Sequence, residues 1–177
     1  MLELLLLRHA KSAWDDPALD DHERPLNARG RRAAALLGSH LAEQGLVPDR
    51  ALVSSALRTQ ETWRRLKKRW NQESPPAEVL QGLYLAAPST ILATIRQAPH
   101  SARRLLVLGH NPGIERLARR LANADSETAA WEALQAKYPT AGLAWFQFDA
   151  DDWSQIREGR LIRFVVPKDL EEAAGGD

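Results

Sequence analysis

The stretch Leu2-Glu3-Leu4-Leu5-Leu6-Leu7-Arg8-His9-Ala10 decides the fold. An apolar run closed by two polar residues has the pattern of a strand buried on both faces. It does not read as a secretory leader. No basic segment precedes it, Glu3 interrupts it, and Arg8 ends it after four consecutive leucines. Leu105-Leu106-Val107-Leu108 repeats the pattern, as does the shorter Ala51-Leu52-Val53. A further strand is predicted around Glu78 to Leu80. Leu143 to Phe148 and Leu161 to Val166 read as two later strands, open to antiparallel pairing.

Helical patterns separate these runs. Asn27 is placed to cap a helix that reaches about Gln44, where Gly45 can end it. Ala33, Ala34, Leu37 and Leu41 form its apolar stripe. A second helix is predicted from Leu57 to Trp70, with Thr59, Trp63, Leu66 and Trp70 on one face. Its other face carries Arg64, Arg65, Lys67, Lys68 and Arg69, a solvated cationic surface near the helix C-terminus. A short helix is expected near residues 89–97. Another follows Asn111 and Pro112, a cap residue and a first-turn proline, with Ile114, Leu117, Ala118 and Leu121 as its stripe. Strands alternating with helices predict an α/β fold, a three-layer α/β/α sandwich around a mostly parallel sheet. One domain is expected over residues 1–170, with a disordered acidic tail over 171–177.

Composition narrows the function classes. The chain has 177 residues, 44% of them hydrophobic, and a formal net charge of +1. Nothing global pulls it toward nucleic acid or a membrane, and neither is expected as a partner. It has no cysteine, which removes thiol nucleophiles, disulfides and thiolate metal sites. A cytoplasmic location fits that composition. His22, His40 and His100 have no metal-binding spacing and read as ordinary structural histidines.

In parallel sheets, ligands bind beyond the carboxyl ends of the strands. The first strand ends in Arg8-His9 and a later one in Gly109-His110-Asn111-Pro112. Ser54-Ser55-Ala56 leads to Arg58 in the first turn of a helix. If the strands are adjacent, two histidines and two arginines meet. Guanidinium forks match phosphoryl oxygens. An imidazole among them has its pKa pressed down, which keeps a nitrogen lone pair free for attack.

Arg8-His9-Ala10-Lys11-Ser12 resembles the Arg-His-Gly/Ala motif of the histidine phosphatase, or phosphoglycerate mutase-like, superfamily. Ser54 to Thr62 is similar to its Ser-x-Ala-x-Arg-x-x-Gln-Thr block, and Gly109-His110-Asn111-Pro112 to its third. Within the superfamily, the short chain and Arg24-Pro25-Leu26-Asn27-Ala28-Arg29-Gly30 resemble the SixA-type phosphohistidine phosphatases. The resemblance implies a phosphoglycerate mutase-like fold and a metal-independent phosphatase that needs no cofactor. It makes His9 the nucleophile, with Arg8, Arg58 and His110 holding the phosphoryl group and Arg24 and Ser12 contacting substrate. Two departures stand out: Lys11 replaces a glutamate common in mutase-like members, and Asp15 stands where they have an asparagine.

Members that cleave esters usually supply a carboxylic acid from a middle segment, and none is evident around Leu83-Tyr84-Leu85. Asp16, Asp20, Asp21 and Glu23 are the acids in reach of the loop after His9. An imidazole leaving group needs less help from a proton donor than an alkoxide does, which favours phosphohistidine in a protein as substrate. Two alternatives remain: a phosphatase for small phosphate esters that uses a loop carboxylate, and a non-catalytic phosphate-binding adaptor. Trp14 is the tryptophan expected near substrate. The oligomeric state is not readable.

Overall fold

The structure, a computed structural model, describes residues 1–70 and 75–175. Its strands are β1 (Leu2–Arg8), β2 (Arg50–Ser54), β3 (Ala77–Leu80), β4 (Arg104–Gly109), β5 (Leu143–Phe148) and β6 (Arg160–Val165). They form one sheet in the order β3-β2-β4-β1-β5-β6. The pairs β1–β4, β2–β4 and β2–β3 are parallel, whereas β5 pairs antiparallel with both β1 and β6.

Alternation along the leucine run splits the core in two. Leu2, Leu4 and Leu6 join one cluster with Leu105, Val107 and Phe146; Leu5 and Leu7 join the other with Leu106, Leu108 and Val53. Helices α1 (Ala28–Glu43) and α2 (Leu57–Lys67) cover the Leu5–Leu7 face. Helices α3 (Pro88–Ile95), α4 (Gly113–Leu121) and α5 (Thr128–Ala136) cover the other. The chain is thus a three-layer α/β/α sandwich with a mostly parallel sheet. Glu3, the one charge in the run, is matched by Arg104 on the neighbouring strand, whose Nε lies 2.7 Å from its carboxylate.

The first helix begins as predicted, with Asn27 Oδ1 accepting from the Gly30 amide at 2.8 Å. Gly45 ends the segment at a φ of +65°, a conformation that glycine adopts without cost. Other boundaries differ from expectation. Helix α2 stops at Lys67, yet Trp70 remains buried and its indole donates to the Gly38 carbonyl at 3.0 Å. Helix α4 starts at Gly113, with Pro112 rather than Asn111 at its cap. The Asn111 amide instead donates to Glu115 and to the Tyr138 carbonyl, both at 3.1 Å.

The tail expectation needs correction. Pro167–Ala174 is a helix, α6, and Glu171 to Ala174 are its last turn; residues 176 and 177 lie outside the described residues. Leu170 anchors it, half-buried against the Leu5–Leu7 face. No helix among the described residues is long and apolar enough to cross a membrane.

Candidate active site

The parallel strands β1, β2 and β4 end on one edge, and their ends bring together the expected residues. The His9 amide donates to the Gly109 carbonyl at 3.1 Å, so His9 and His110 extend side by side from neighbouring strands. Their rings lie 5.2 Å apart. On the other flank, the Arg8 amide donates to the Gly142 carbonyl at 3.1 Å.

The second block is a tether as well as a source of Arg58. Thr59 Oγ1 donates to the Ser54 carbonyl at 2.7 Å, and Gln60 Nε2 donates to the Ser55 carbonyl at 2.8 Å. Thr62 Oγ1 donates to the Arg58 carbonyl and accepts from the Ala10 amide at 3.1 Å, joining helix α2 to the end of β1. Glu61 accepts from the Leu26 amide at 2.7 Å, which ties in the Arg-Pro-Leu segment. That segment also pairs with residues 11–13 through Ala13 N to Pro25 O at 2.8 Å and Asn27 N to Lys11 O at 3.0 Å.

His9 is buried, and its Nδ1 lies 2.8 Å from the Ala10 carbonyl oxygen. A carbonyl can only accept, so Nδ1 carries the proton and Nε2 keeps its lone pair. Nε2 faces the Nε of Arg58 at 3.4 Å. Burial, reinforced by Arg58, Arg8 and Arg24, lowers the His9 pKa to about 4, against the pull of the Ala10 carbonyl. The His110 pKa is pushed down to about 3 by burial, then by the neighbouring His9 ring and by Arg58 and Arg8, against the pull of Asp21. Its Nε2 meets Ser54 Oγ at 2.7 Å and its Nδ1 faces Arg58 Nη2 at 3.3 Å. Arg8 reaches the Tyr138 carbonyl through Nη1 at 2.9 Å, while its buried Nε has no hydrogen-bond partner.

Of the loop acids, Asp21 alone enters the cluster. It receives Arg24 Nη2 at 2.7 Å, Arg58 Nη2 at 3.0 Å and the Tyr84 hydroxyl. Burial raises its pKa, but those hydrogen bonds outweigh it and hold the carboxyl well below the usual carboxylate range. Asp16 caps the Ala18 amide at 3.0 Å and Glu23 pairs with His22 at 3.0 Å. Asp20 is exposed and has no part in the cluster, and neither does exposed Asp15. Arg24 Nη1 donates to Ser12 Oγ at 3.1 Å, and its guanidinium lies 3.3 Å from the ring centre of exposed Trp14.

Three residues join the site without a sequence signal. Tyr84 packs edge-on against His110 at 5.5 Å and against His22 at 4.8 Å. His22, expected as an ordinary loop histidine, also meets Ser55 Oγ at 2.9 Å. Tyr138 is buried, anchored by its hydroxyl to the Leu6 carbonyl at 2.6 Å, and offers its own carbonyl to Arg8. Among the described residues, no group of three or more His, Asp or Glu is arranged to hold a metal ion.

The family model of the histidine phosphatase superfamily, branch 1, matches residues 4–84, the portion that carries His9, Arg24, Arg58 and Tyr84. The chain belongs to that superfamily. A Mycobacterium tuberculosis protein is 35% identical over 165 residues, covering 92% of this chain and 100% of its own length. Two solved structures bearing the name phosphohistidine phosphatase SixA are similar throughout. The one from Nakamurella multipartitia has a TM-score of 0.82 at 26% identity, covering 94% of this chain and 96% of its own. The one from Agrobacterium tumefaciens has a TM-score of 0.79 at 28% identity, covering 94% and 98%. This histidine phosphatase is therefore SixA-like in fold.

Proposed function

We propose that the protein removes the phosphoryl group from phosphohistidine in another protein, through a covalent intermediate on His9. The observation that carries this reading is the His9 ring itself: Nδ1 is tied to the Ala10 carbonyl, and the Nε2 lone pair is directed at Arg58 inside a cationic cluster. The lone pair attacks phosphorus, and the P–N bond to the substrate imidazole breaks. That ring has taken a proton from water on its other nitrogen, so it keeps the bonding electrons and leaves as neutral imidazole. A second water then attacks phosphorus, its proton passes to solvent, and the electrons of the P–Nε2 bond return to His9. Arg8, Arg58 and His110 take up charge on the phosphoryl oxygens, with Ser12 and Arg24 at the rim. Metal independence follows from this assignment, because the cluster supplies the positive charge.

The choice of leaving group rests on the loop acids. Asp21 is kept ionised by the Tyr84 hydroxyl and two arginines, and Asp16, Asp20 and Glu23 lie outside the cluster. An alkoxide would leave without the roughly 10²–10⁴-fold help that a proton donor provides. An imidazole, with an ordinary pKa of about 6.5, has much less need of it. Retention of both histidines disfavours a non-catalytic adaptor.

Rapid quench after mixing with a small phosphodonor should trap a phosphoryl label that is acid-labile and base-stable. His9→Ala should trap none, and turnover should persist in a chelator. Equal labelling of His9→Ala, or a strong preference for sugar phosphates over a phosphohistidine peptide, would overturn the mechanism or the substrate respectively.

A further inference from the structure

A groove of about 660 Å³ runs from Arg8 away from the site, between α1 on one side and α5 and α6 on the other. This is far more space than a phosphoryl group fills. Lys11, Arg29, Lys137 and Lys168 stand along it with Arg8, and none of its lining residues is acidic. Lys168 has a distant partner, Glu172 at 3.7 Å. Lys11, Arg29 and Lys137 are exposed and make no ion pair among the described residues. On a chain of net charge +1, this is a local concentration of positive charge. Ala33, Ala133 and Val166 supply an apolar floor between the cations.

We infer that this groove docks an acidic polypeptide segment flanking the phosphorylated residue of the protein substrate. The inference rests on the reading of His9 as the nucleophile for a phosphoprotein, and adds what that protein must carry. The cations come from four separate elements: the loop after β1, α1, the end of α5 and α6. A groove lined by cations from separate elements suits several carboxylates better than one small anion. The apolar floor suits the methylene stems of glutamate side chains. No aromatic side chain lines the groove, so it offers no stacking platform for bases, and nucleic acid is the poorer occupant. Arg8 belongs to both the groove and the catalytic cluster, so a segment bound there leads directly to His9.

Two measurements test this. In the first, the parent and Lys11→Glu/Arg29→Glu/Lys137→Glu hydrolyse phosphohistidine peptides with a glutamate-rich or a serine-rich flank. The parent should favour the acidic flank roughly ten-fold in kcat/KM at low salt, through KM, and the preference should shrink at high salt. The variant should lose it while hydrolysing free phosphohistidine as the parent does. A parent indifferent to the flank, or a variant that keeps the preference, would refute the groove. Lys11→Gln/Arg29→Gln/Lys137→Gln repeats the comparison without charge reversal, should the first variant misfold.

In the second, an unphosphorylated glutamate-rich peptide is titrated into the His9→Ala protein by fluorescence anisotropy. Salt-sensitive binding that the groove substitutions remove would support docking even if no phosphohistidine peptide were hydrolysed, in which case the substrate reading alone fails. Absence of binding, or tighter binding of a single-stranded oligonucleotide, would overturn the inference.

Discussion

Asp21 gives one carboxylate to two guanidiniums and a phenol, and an incoming phosphoryl group would need the same guanidinium hydrogens. Carboxylate and phosphate can each accept the planar guanidinium fork through two oxygens, so the two compete for one set of donors. Asp21→Asn should therefore tighten vanadate binding about ten-fold, read by inhibition of turnover, and leave any slow ester hydrolysis within a few-fold of the parent. A loss of ester hydrolysis on the 10²–10⁴ scale would instead identify Asp21 as a proton donor. Unchanged vanadate affinity would mean that the carboxylate stays put when the anion binds. His9, Arg8, Arg58 and His110 were legible in the sequence because each closes a strand or opens a helix within a recognisable block. Tyr84 and His22 were not. They reach the site through a loop and a short 3-10 turn, Asp21–Glu23, whose course no periodicity encodes.

Helix α1 shows how an element away from the chemistry holds it in place. Its first turn lies directly on the backbone of the loop that follows His9. A Cβ added at Gly30 would come within 2.1 Å of the Lys11 carbonyl oxygen, a backbone atom with no rotamer to escape into. Gly30→Ala should cost about 1–3 kcal/mol, the usual range for forcing an atom into a packed contact. It should also lower kcat/KM by shifting Ser12 and Arg24, which calorimetry and turnover together would detect. A melting temperature equal to that of the parent would show that the loop relaxes freely. Elements with a cap and a buried stripe, such as α1, could be read from the residues alone. Helix α5 could not, because Glu127 provides no side-chain cap and only Ala130 and Leu134 are buried. Helix α6 escaped for the same reason, since no residue in it is fully buried.

At the scale of the whole molecule, burying neutral histidines makes folding sensitive to acid. His9 and His110 have pKa values of about 4 and about 3 in the folded chain against an ordinary value of 6.5. Between 6.5 and those values the unfolded chain binds more protons, so stability falls as pH is lowered through that window. Asp21, depressed in the folded state, adds a further loss once pH drops below its ordinary value of 3.8. Urea midpoints should decline from about pH 6.5 to pH 4 in the parent and much less in His9→Gln/His110→Gln. Parallel declines in the two proteins would show that other groups govern the acid limb. The sandwich and its central parallel strands were legible because β1, β2 and β4 are buried apolar runs. The sheet order was not, since pairing across a hundred residues leaves no local trace. That order has a consequence for how the protein is made. Strand β1 pairs with β4 and β5, neither of which exists when β1 leaves the ribosome. His9 follows a strand that is without a neighbour until residue 104 has emerged and is not enclosed until β5 follows. The cluster of His9, Arg58 and His110 therefore cannot assemble before β4 has been made, and the Arg8 flank waits for the segment that leads into β5.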